Sequence, residues 1–420
     1  MPKQKNVECQ LVFHQRKSPC TVLVCTVHPQ TWSKVPFAWV EMDSKDFYSD
    51  LQRKKNFLNY PFVYIGVPKT NMTIQEIVAN YIQCADPILV HTGVDPKRIG
   101  SLKETAMQFF EADVHKSKVP LTRSTQFECR WLHEAHRGGL MHAKPGEYNH
   151  VEQFDFTSFY PSICNSDLIF PTGKNKKFYL KTPGPELDLE QPAIYLVKPF
   201  KHHPLLKLKP IIKSPDDWIY VTNLDLQSAR DLVIDFELAE SSKKPFYNCM
   251  QWEGIAGHKL FKTYVDRFFS LKKSDDEDSK IAGKVMLNVL TGLLVEKRHD
   301  YGSTMQTNQV IDLTHCIIHS ITRDTIKTID PKKLRYFKRP DFAKYGVWIT
   351  AHGRRRMVKT LLEHQDHLVH VHTDGFVLTS GHKLDRSTYL PGDELGGLKL
   401  EYKGPMHVKN VHNKVKVQTC

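Results

Sequence analysis

Two aspartates lie where apolar runs of the sequence end in a turn. Asp155 stands between Phe154 and Phe156, where its charge is costly to bury unless another group satisfies it. Asp374 precedes Gly375 at the predicted tip of a β-hairpin, a rigid support that suits a ligand held to within a fraction of an ångström. Taken alone, each aspartate is more often a capping or turn residue, so neither by itself predicts a reaction.

The residues that follow Asp155 favour an anion site. The segment Thr157-Ser158-Phe159-Tyr160 predicts a tight turn whose backbone N–H groups would point toward an anion. The ring of Tyr160 would offer a flat face beside that anion. The alternative is that Asp155 simply caps this turn, and the residues alone leave both interpretations open.

A helical segment further along the chain carries a polar stripe. Its members recur at spacings of four, four and three and share one helix face: Lys280, Lys284, Asn288 and Thr291. The opposite face is apolar, with Ile281, Val285, Met286, Val289, Leu293 and Leu294. An amphipathic surface helix explains this pattern. Two lysines one turn apart are also what a triphosphate needs.

The composition indicates a globular protein with a basic net charge. The chain has 420 residues, 40% of them hydrophobic, and lysine plus arginine outnumber aspartate plus glutamate by 59 to 46. The net charge of +13 favours a polyanionic partner, although ribosome-associated and membrane-surface proteins can share it. The nine cysteines form no CxxC pair and predict reduced thiols. Because no signal peptide or membrane-spanning run is present, we expect a soluble, intracellular protein with no membrane partner.

Local patterns predict alternating helices and strands. Strand-like runs cover 21–27 and 62–67, a helix covers about 73–81, and 116–130 indicates a connector. Residues 151–160 predict a buried strand that leads into a turn, whereas 174–220, rich in proline and lysine, predict loops and short strands.

The second half of the chain is more regular. Helices at about 259–273 and 279–298, joined by an acidic turn, predict a helical hairpin. A helix at about 349–363 leads into a strand at 367–372, and 376–379 completes a β-hairpin. This order predicts an α+β fold.

Taken together, the motifs resemble family B DNA polymerases of the protein-primed kind. "DFTSFYPSI" is similar to the first palm motif of the family (DxxSLYPSI), "KVMLNVLTG" to its fingers motif (KxxxNSxYG) and "VHTDGF" to its second palm motif (YxDTDS). "AHRGG" resembles the YxGG loop that precedes the first motif, and "FPTG" resembles a segment that follows it. "TYVDRFFSLKK", "SLKETAMQFF" and "LGGLKLEY" resemble further stretches. The resemblance covers most of residues 95–405 and keeps the order of the family.

The resemblance implies a domain plan. We expect an α+β family B polymerase with a palm built on an antiparallel sheet, helical-hairpin fingers, a reduced N-terminal domain and little or no thumb. The expected parts are an exonuclease-like remnant at 1–121, a first palm segment at 122–254, fingers at 255–298 and a second palm segment at 299–420. No DxE motif occurs in residues 1–120, so we expect no proofreading activity.

The resemblance also implies the roles of individual residues. Asp155 and Asp374 would be the catalytic carboxylates and, with the carbonyl of Phe156, would bind two Mg²⁺ ions, for which Mn²⁺ could substitute. Tyr160 would lie under the sugar and exclude a 2′-hydroxyl. The nucleotide-binding residues would be Ser158, Phe159, Tyr160, Lys280, Lys284 and Asn288. The DNA-binding residues would be Arg137, Gly138, Gly139, Thr291 and Lys414.

Several residues depart from the family pattern. His372 stands where the first aspartate of the hairpin motif is usual, Gly375 replaces a serine, and Thr291 replaces a tyrosine. Lys414 matches a KxY motif that here lacks its tyrosine. These departures keep the metal-ligand position, Asp374, but they also motivate a second reading in which the chain binds DNA without catalysis.

A run of three arginines, Arg354-Arg355-Arg356, has several interpretations. It could contact the DNA backbone or form a nuclear targeting signal, and it could equally be the solvated end of a helix. The residues alone leave these open.

The function predicted is template-directed dNTP addition, with protein priming in the replication of a viral or mobile linear DNA. Primer-template DNA and dNTPs are the expected partners, with a terminal protein or a chain that supplies a thumb and exonuclease as further ones. The alternative is a catalytically degenerate or partner-dependent polymerase fragment. A eukaryotic host would place the protein in the nucleus or with a virus.

Overall fold

The computed structural model describes the larger part of the chain. The described residues are 9–14, 21–27, 40–43, 62–66, 74–96, 101–181, 187–198, 203–206, 218–242, 245–297, 304–306, 317–321, 325–329 and 336–417. The short strands at 9–66 and 304–329 are described by their backbone. Among the helices of these segments, none is long and apolar enough to cross a membrane. The chain divides into two compact units, 1–113 with 263–290 and 114–262 with 291–420.

The first unit begins with a four-stranded sheet in the order β3-β2-β1-β4. Its strands are β1 (Cys9–His14), β2 (Thr21–Val27), β3 (Val40–Asp43) and β4 (Phe62–Gly66). β4 runs parallel to β1, and the other pairs are antiparallel. This confirms the predicted strands at 21–27 and 62–67. The side chains of these strands lie outside the described residues, so the absence of proofreading stays a prediction.

Two helices follow the sheet, α1 (Ile74–Thr92) and α2 (Leu102–Lys116). α1 confirms the predicted helix at 73–81 and is longer than predicted. It continues through Pro87, where proline ordinarily interrupts a helix.

The predicted helical hairpin is present as α6 (Gly257–Lys272) and α7 (Glu277–Leu294). The two helices approach closely at Gly283, where a Cβ atom would lie 2.4 Å from the backbone nitrogen of Lys272. The hydroxyl of Tyr264 donates a hydrogen bond to the carbonyl of Met286 at 2.7 Å. The buried face of α7 is apolar: Ala282, Met286, Leu287, Leu290, Leu293 and Leu294. Burial of this stripe holds the hairpin together.

Aromatic and charged contacts attach the hairpin to α2. Phe110 packs edge-on against Tyr264, with ring centroids 6.4 Å apart. Arg267 donates two hydrogen bonds to the carboxylate of Asp113, at 2.7 and 3.1 Å, and its guanidinium lies over the ring of Phe109. A planar guanidinium suits such paired and stacked contacts better than an ammonium group does.

The second unit contains a six-stranded sheet in the order β17-β16-β6-β15-β14-β5, antiparallel throughout. The strands are β5 (Met141–Ala143), β6 (Gly146–Phe156), β14 (Leu368–His372), β15 (Gly375–Thr379), β16 (Leu398–Val408) and β17 (Lys414–Lys416). β6 and β16 are the longest strands of this sheet, with 11 residues each, and they pair with each other. Bulges in β16 near Glu401 and Pro405 bend the strand, because an extra residue increases the local twist.

A second, four-stranded antiparallel sheet has the order β7-β10-β8-β9. Its strands are β7 (Ile169–Phe178), β8 (Ala193–Val197), β9 (Ile219–Thr222) and β10 (Cys249–Ala256). One face of this sheet packs on an apolar core that includes Tyr195, Val221, Leu226 and Phe236. Short strands and loops predicted at 174–220 are therefore confirmed where the structure describes them.

A small antiparallel sheet, in the order β11-β13-β12, contains β11 (Thr304–Gln306), β12 (Ile317–Ile321) and β13 (Thr325–Ile329).

Four further helices support these sheets: α3 (Gln126–Ala135), α4 (Phe159–Cys164), α5 (Asn223–Asp231) and α8 (Pro340–Leu361). The connector predicted at 116–130 is wrong over its last residues, since α3 begins at Gln126. Thr125 caps α3 by accepting a hydrogen bond from the backbone N–H of Glu128, and Thr-x-x-Glu is a sequence signature of such a cap. α8 begins at Pro340 rather than near residue 349, because proline is favoured in the first turn of a helix.

The mixture of helices with antiparallel sheets confirms the α+β fold class.

Ion pairs and caps fix α5 and α8 within the second unit. Thr222 caps α5 in a reciprocal capping box with Asp225, which is only 3% exposed. α8 is buried along most of its length, with Tyr345, Trp348 and Ile349 fully enclosed.

Candidate active site

Asp155 and Asp374 lie next to one another on the six-stranded sheet. β15 pairs antiparallel with β6, and in this register Gly375 stands opposite Asp155. The backbone N–H of Phe156 donates to the carbonyl of Asp374 at 3.0 Å. A Cβ atom at position 375 would lie 2.9 Å from Oδ1 of Asp155, so glycine leaves room for the neighbouring carboxylate. The tertiary pairing therefore brings together the two aspartates that the motifs selected.

The tip of the hairpin is a strained turn. Thr373 has a φ angle of 63°, a left-handed conformation that β-branched residues rarely adopt. The backbone N–H of Thr373 donates to the carbonyl of Leu140 at 2.8 Å, and that of Asp374 donates to the carbonyl of His372 at 2.8 Å. Such a conformation persists when the surroundings over-determine it, and here these bonds fix the backbone from which the carboxylate of Asp374 extends.

The turn after Asp155 has the form that the sequence predicted. Ser158 adopts a left-handed conformation, with φ 49° and ψ 51°, and the short helix α4 follows it. Thr157 is held by Gly397 and Gly396, through N–H···O=C bonds of 2.9 and 2.8 Å. Consecutive right- and left-handed residues turn backbone N–H groups into a concave surface that suits anions. The backbone of Phe159 and Tyr160 continues this surface in the first turn of α4.

The two carboxyl groups are unfavourably placed for their negative charges. Burial, followed by the proximity of Asp374 and Glu401, raises the pKa of Asp155 to about 7. Burial also raises the pKa of Asp374, against the opposing effects of its own backbone hydrogen bond and of His372. Lys414 and Lys399 act in the other direction on Asp155. Paired carboxylates with raised pKa values are a frequent feature of catalytic sites.

Lys414 and Glu401 complete the charged surroundings of the pair. Burial lowers the pKa of Lys414, while Glu401, Asp155 and Asp374 oppose this change. The structure thus places Lys414, a predicted DNA-binding residue, within the electrostatic field of Asp155 and Asp374. Sequence reasoning missed Glu401, which lies at a bulge of β16 and accepts a hydrogen bond from Gln153 at 2.9 Å. Its alternation with Lys399 along a strand was the available signal.

Tyr160 fills a slot made by two glycines. A Cβ atom at Gly139 would lie 2.9 Å from the hydroxyl of Tyr160, and one at Gly353 would lie 2.8 Å from its ring. The same Cβ at Gly139 would lie 2.9 Å from the side chain of Thr373. Burial raises the pKa of Tyr160 to about 12. Close packing fixes the ring beside the hairpin tip, where it is predicted to lie under the sugar.

Arginine side chains pack inside the predicted template loop, Arg137-Gly138-Gly139, and hydrogen-bond to backbone carbonyls. Arg137 is 5% exposed, and its guanidinium donates to the carbonyls of Tyr220 at 2.6 Å and Ala135 at 3.2 Å. Arg354 donates to the carbonyls of Arg137 and Gly138 at 2.6 and 3.2 Å. The side chain of Arg137 is therefore a buried support, and the predicted contact with the template rests on the backbone of Gly138 and Gly139.

The three consecutive arginines are neither a solvated helix end nor a free cationic patch. Arg354 forms a buried, bidentate pair with Asp225, with N–O distances of 2.9 and 3.0 Å, and Arg355 pairs with Asp231. Arg356 stacks on Phe156, its guanidinium carbon 4.4 Å from the ring centroid. The solvated helix end is therefore wrong, whereas the DNA-backbone contact and the nuclear targeting signal stay predictions.

Arg356 links two segments that position the site. It donates to the hydroxyl of Ser162 at 3.0 Å and to the carbonyl of Gly396 at 2.8 Å. Ser162 belongs to α4, and Gly396 belongs to the loop that binds Thr157. The stacked guanidinium therefore fastens the turn after Asp155 to the loop that precedes β16.

His372 belongs to a group of histidines on one side of the hairpin. Its ring stacks on that of His370, with centroids 6.4 Å apart and planes 8° apart, and meets His412 at 5.7 Å. His370 also contacts the carbonyl of Val411 at 3.0 Å through Nε2. The turn that carries His412 thus lies against β14, so the sheet curves and carries Lys414 toward the carboxylates.

The polar stripe of α7 is present as predicted. Lys284 and Asn288 are exposed, Lys280 is half-buried and pairs with Glu277 at 3.5 Å, and Thr291 is half-buried. Lys280, Lys284 and Asn288 belong to the first unit, whereas Asp155, Asp374 and Tyr160 belong to the second. The structure confirms that the stripe shares one helix face; its assignment to nucleotide binding stays a prediction.

The carboxylate pair has the chemistry of a divalent-metal site. Two adjacent carboxylates with raised pKa values suit Mg²⁺, which prefers oxygen ligands and retains several waters. Phe156, whose carbonyl is a predicted ligand, is bonded through its N–H to Asp374 between the two strands. Within the described segments, no group of three or more His, Cys, Asp or Glu side chains is arranged to hold a metal by protein ligands alone.

The fold is similar to that of known DNA polymerases. Phi29 DNA polymerase complexed with primer-template DNA superposes with a TM-score of 0.60 and 16% identity, covering 94% of this chain and 70% of that one. Its ternary complex with primer-template DNA and incoming nucleotides gives a TM-score of 0.59 and 14% identity, covering 96% and 86%. The complex with single-stranded DNA gives 0.57 and 16%, covering 94% and 70%. These likenesses establish the fold.

Sequence comparison establishes the family. A search of curated proteins found no match. The family described as DNA polymerase type B, organellar and viral, matches residues 71–345. This range is more than half of the chain and contains the first palm motif and the fingers motif. The chain belongs to the family B DNA polymerases of organelles and viruses, which are DNA-directed DNA polymerases.

Proposed function

We propose that this DNA polymerase adds dNTPs to a primer by a two-metal mechanism centred on Asp155 and Asp374, and that its primer is a protein hydroxyl. The observation that supports the metal mechanism is the pairing of the two carboxylates across β6 and β15, where their charges are left in need of a cation. Bound Mg²⁺ ions would supply activation of the primer hydroxyl and stabilisation of the leaving pyrophosphate.

The chain's own residues would orient the reactants. Asp155 and Asp374 would hold the metals, and the backbone from Ser158 to Tyr160 would receive the triphosphate through its N–H groups. By the family resemblance, Lys280 and Lys284 would bind triphosphate oxygens, and Asn288 would line the nascent base pair. In the reaction the primer oxygen forms a bond to the α-phosphorus, and the bond from that phosphorus to pyrophosphate breaks.

Other residues would select the substrate and guide the strand. The ring of Tyr160, fixed between Gly139 and Gly353, leaves no space for adjustment and would exclude a ribose 2′-hydroxyl. The backbone of Gly138 and Gly139 would meet the template, since glycine permits close approach. Lys414 would contact the DNA backbone near the reacting end.

Primer extension tests the metal mechanism. We expect extension in Mg²⁺ by the wild type and a loss of at least about a thousandfold in Asp155→Asn and in Asp374→Asn, since each removes a metal-binding charge. Asp235→Asn is the matched control, because Asp235 is exposed and distant in sequence. Equal activity of the Asp374→Asn variant and the wild type would contradict the assignment.

Protein priming rests on the family resemblance and needs its own assay. Transfer of a labelled nucleotide to a serine, threonine or tyrosine of a candidate terminal protein would support it. Extension of DNA primers with no transfer to any candidate would restrict the proposal to conventional priming.

A partner-dependent fragment is the second candidate. The observation that favours it is His372, which stacks among histidines where the family has an acid. DNA binding without extension by the wild type alone, restored by a second chain, would establish this alternative.

A further inference from the structure

A group of aromatic rings and one lysine lies at the margin of the four-stranded sheet. Contacts join its members in two groups that are linked through the adjacent residues Phe246 and Tyr247. We name the two groups together the aromatic–lysine surface: Phe127, Lys177 and Tyr247, and Tyr179, Phe246 and Trp218. All six belong to the second unit. None of them is used by the proposed reaction.

The centre of this surface is a cation held against ring faces. The ammonium group of Lys177 lies 4.2 Å from the centroid of Phe127 and 5.9 Å from that of Tyr247. Phe246 packs against Tyr179, with centroids 5.9 Å apart, and against Trp218 at 5.1 Å. Phe127 in turn rests on the buried Trp131 at 5.8 Å. The rings are therefore supported from below and fixed in position.

The outer rings remain open to solvent. Phe127 is 41% exposed and Tyr179 is 42% exposed. Rings that served packing alone would gain more from full burial, since each buried aromatic contributes a large apolar area. Exposure of large rings in a connected group indicates a surface that another molecule covers.

The charge of the surface is positive. Lys177 is exposed and lies on the same side of β7 as Tyr179, since side chains alternate along a strand. Lys174 and Lys176 are also exposed on this edge strand, but Lys176 alternates with Lys177 and projects to the opposite face of the sheet. The acid closest in sequence to Phe127 is Glu128, which is buried and accepts hydrogen bonds from Trp252 at 3.2 Å and Asn175 at 2.9 Å. Lysines also protect edge strands from pairing with other strands. That role accounts for Lys174 and Lys176 but leaves the exposed rings unexplained.

Exposed rings beside a lysine suit one chemical class of partner. Unpaired bases stack on aromatic side chains, and a lysine neutralises a phosphate between them. In a duplex the bases cover one another, so their faces cannot reach a ring on the protein. An acidic protein partner would satisfy Lys177 but would make no use of the exposed ring faces.

The surface is also close to the predicted template loop. Phe127 lies in the first turn of α3, and this helix ends at Ala135, directly before Arg137, Gly138 and Gly139. At 1.5 Å per residue, the distance along the helix is about 12 Å. A strand that leaves the loop could reach the rings along one side of α3.

We propose that the aromatic–lysine surface binds single-stranded DNA, and that this strand is the unpaired template. The assignment of the strand as template rests on the proposed function, whereas the binding of single-stranded DNA does not. Stacking makes the interaction tolerant of sequence, and Lys177 makes it dependent on salt.

Binding of a labelled single-stranded oligonucleotide, without dNTPs or metal, tests the surface directly. Fluorescence anisotropy should show at least a fivefold weaker affinity for Phe127→Ala and for Tyr179→Ala, since stacking contributes about 1–3 kcal/mol per base. Lys177→Gln should lower the slope of log affinity against log salt by about 0.7, as expected for one phosphate contact with a single strand.

Matched controls remove similar groups elsewhere. Val90→Ala truncates another exposed apolar side chain, and Lys198→Gln removes a lysine that Glu237 already neutralises. Both should bind as the wild type does. Unchanged affinity in the double variant Phe127→Ala/Tyr179→Ala would overturn the proposal. So would a loss confined to Lys177→Gln, because charge alone would then explain the binding.

A second measurement covers the case in which a variant fails to fold. Photocrosslinking of a bromouracil-containing oligonucleotide to the wild type should label peptides that contain Phe127 or Tyr179. Labelling restricted to other peptides would overturn the proposal even without usable variants.

The role of the template is tested by comparing long and short single-stranded overhangs. The wild type should extend primers on long overhangs at lower template concentration, and the double variant should lose this advantage. If no form of the protein extends primers, the proposed function fails while the binding experiment still decides the surface.

Discussion

One buried carboxylate and two half-buried carboxylates in the second unit differ in what faces them. Asp225 is 3% exposed and receives hydrogen bonds from Arg354 at 2.9 and 3.0 Å and from the hydroxyl of Thr222 at 2.8 Å. Asp155 and Asp374 face each other instead, and burial raises the pKa of both. The fold thus neutralises a carboxylate that supports structure and leaves two others for a ligand to neutralise.

The largest effect on stability should come from breaking the neutralised pair. Arg354→Met leaves Asp225 buried without its cation and the carbonyls of Arg137 and Gly138 without a donor. We expect the free energy of unfolding to fall by about 3–5 kcal/mol, measured by urea titration. Lys198→Met, which removes an exposed partner of Glu237, should change the free energy of unfolding far less, because solvent screens an exposed ion pair.

A double variant sharpens this prediction. Arg354→Met with Asp225→Leu removes both charges and should recover a large part of the loss, because an uncompensated buried charge causes most of it. If the double variant is no more stable than Arg354→Met, packing and not charge makes this pair important.

Removing a carboxylate charge near the β14–β15 hairpin should raise the free energy of unfolding, the opposite of the effect of Arg354→Met. Asp155→Asn removes a charge from the crowded carboxylates, so at pH 8 and without metal it should stabilise the protein. Allowing for screening by solvent, the gain should be on the order of 1–2 kcal/mol in thermal or urea unfolding. Asp235→Asn, at an exposed position, should change little. A destabilised Asp155→Asn protein would mean that the carboxylate is structural.

The pH dependence of the metal-free protein follows from the same pKa shift. The pKa of Asp155 is raised from 3.8 to about 7, so its protonated form favours the folded state. This contribution is complete below about pH 4 and is lost as the pH rises through 7. Between pH 5.5 and 8 we expect the melting temperature to fall in the wild type relative to Asp155→Asn.

Added Mg²⁺ should reverse this trend. The cation competes with the proton for the carboxylates, so its stabilising effect should be larger at pH 8 than at pH 5.5. The comparison with Asp155→Asn, which lacks the site, separates this effect from general ion binding. Equal stabilisation of both proteins by Mg²⁺ would argue against a metal at the hairpin.

The smallest expected effect is on the KM for dNTP, through Arg356, which positions the turn after Asp155. Arg356→Lys keeps a positive charge but loses the planar fork that joins Ser162 to Gly396 and stacks on Phe156. We expect the KM for dNTP to rise about threefold to tenfold, or roughly 1 kcal/mol, with a smaller change in kcat. Arg123→Lys, at an exposed position, is the control. A fall in kcat alone would assign Arg356 another role.

Local patterns predicted much of the site. The turn after Asp155, the hairpin around Asp374 and the stripe of Lys280, Lys284 and Asn288 all depend on neighbours a few residues away, and the structure shows each of these elements. The cap at Thr125 was equally local, yet the short helix α3 was missed because the sequence after it lacks a long apolar period.

Contacts between distant segments could not be predicted in this way. The arginine run suggested a surface, but its partners Asp225 and Asp231 lie on α5, far away in the sequence. Glu401 and Lys414 reach Asp155 and Asp374 because β16 is bulged and the turn before β17 lies against β14. Periodicity carries no information about such register and curvature.

The sequence by itself determined which elements form and which residues carry charge at their ends, because turn chemistry and helix spacing act within a few residues. The tertiary structure alone decided that Gly375 stands opposite Asp155, more than half the chain apart. It also decided that the buried Asp225 receives an arginine while the half-buried Asp155 and Asp374 do not. The physical reason is that burial and charge neutralisation depend on strand register and packing between segments, which no local pattern encodes.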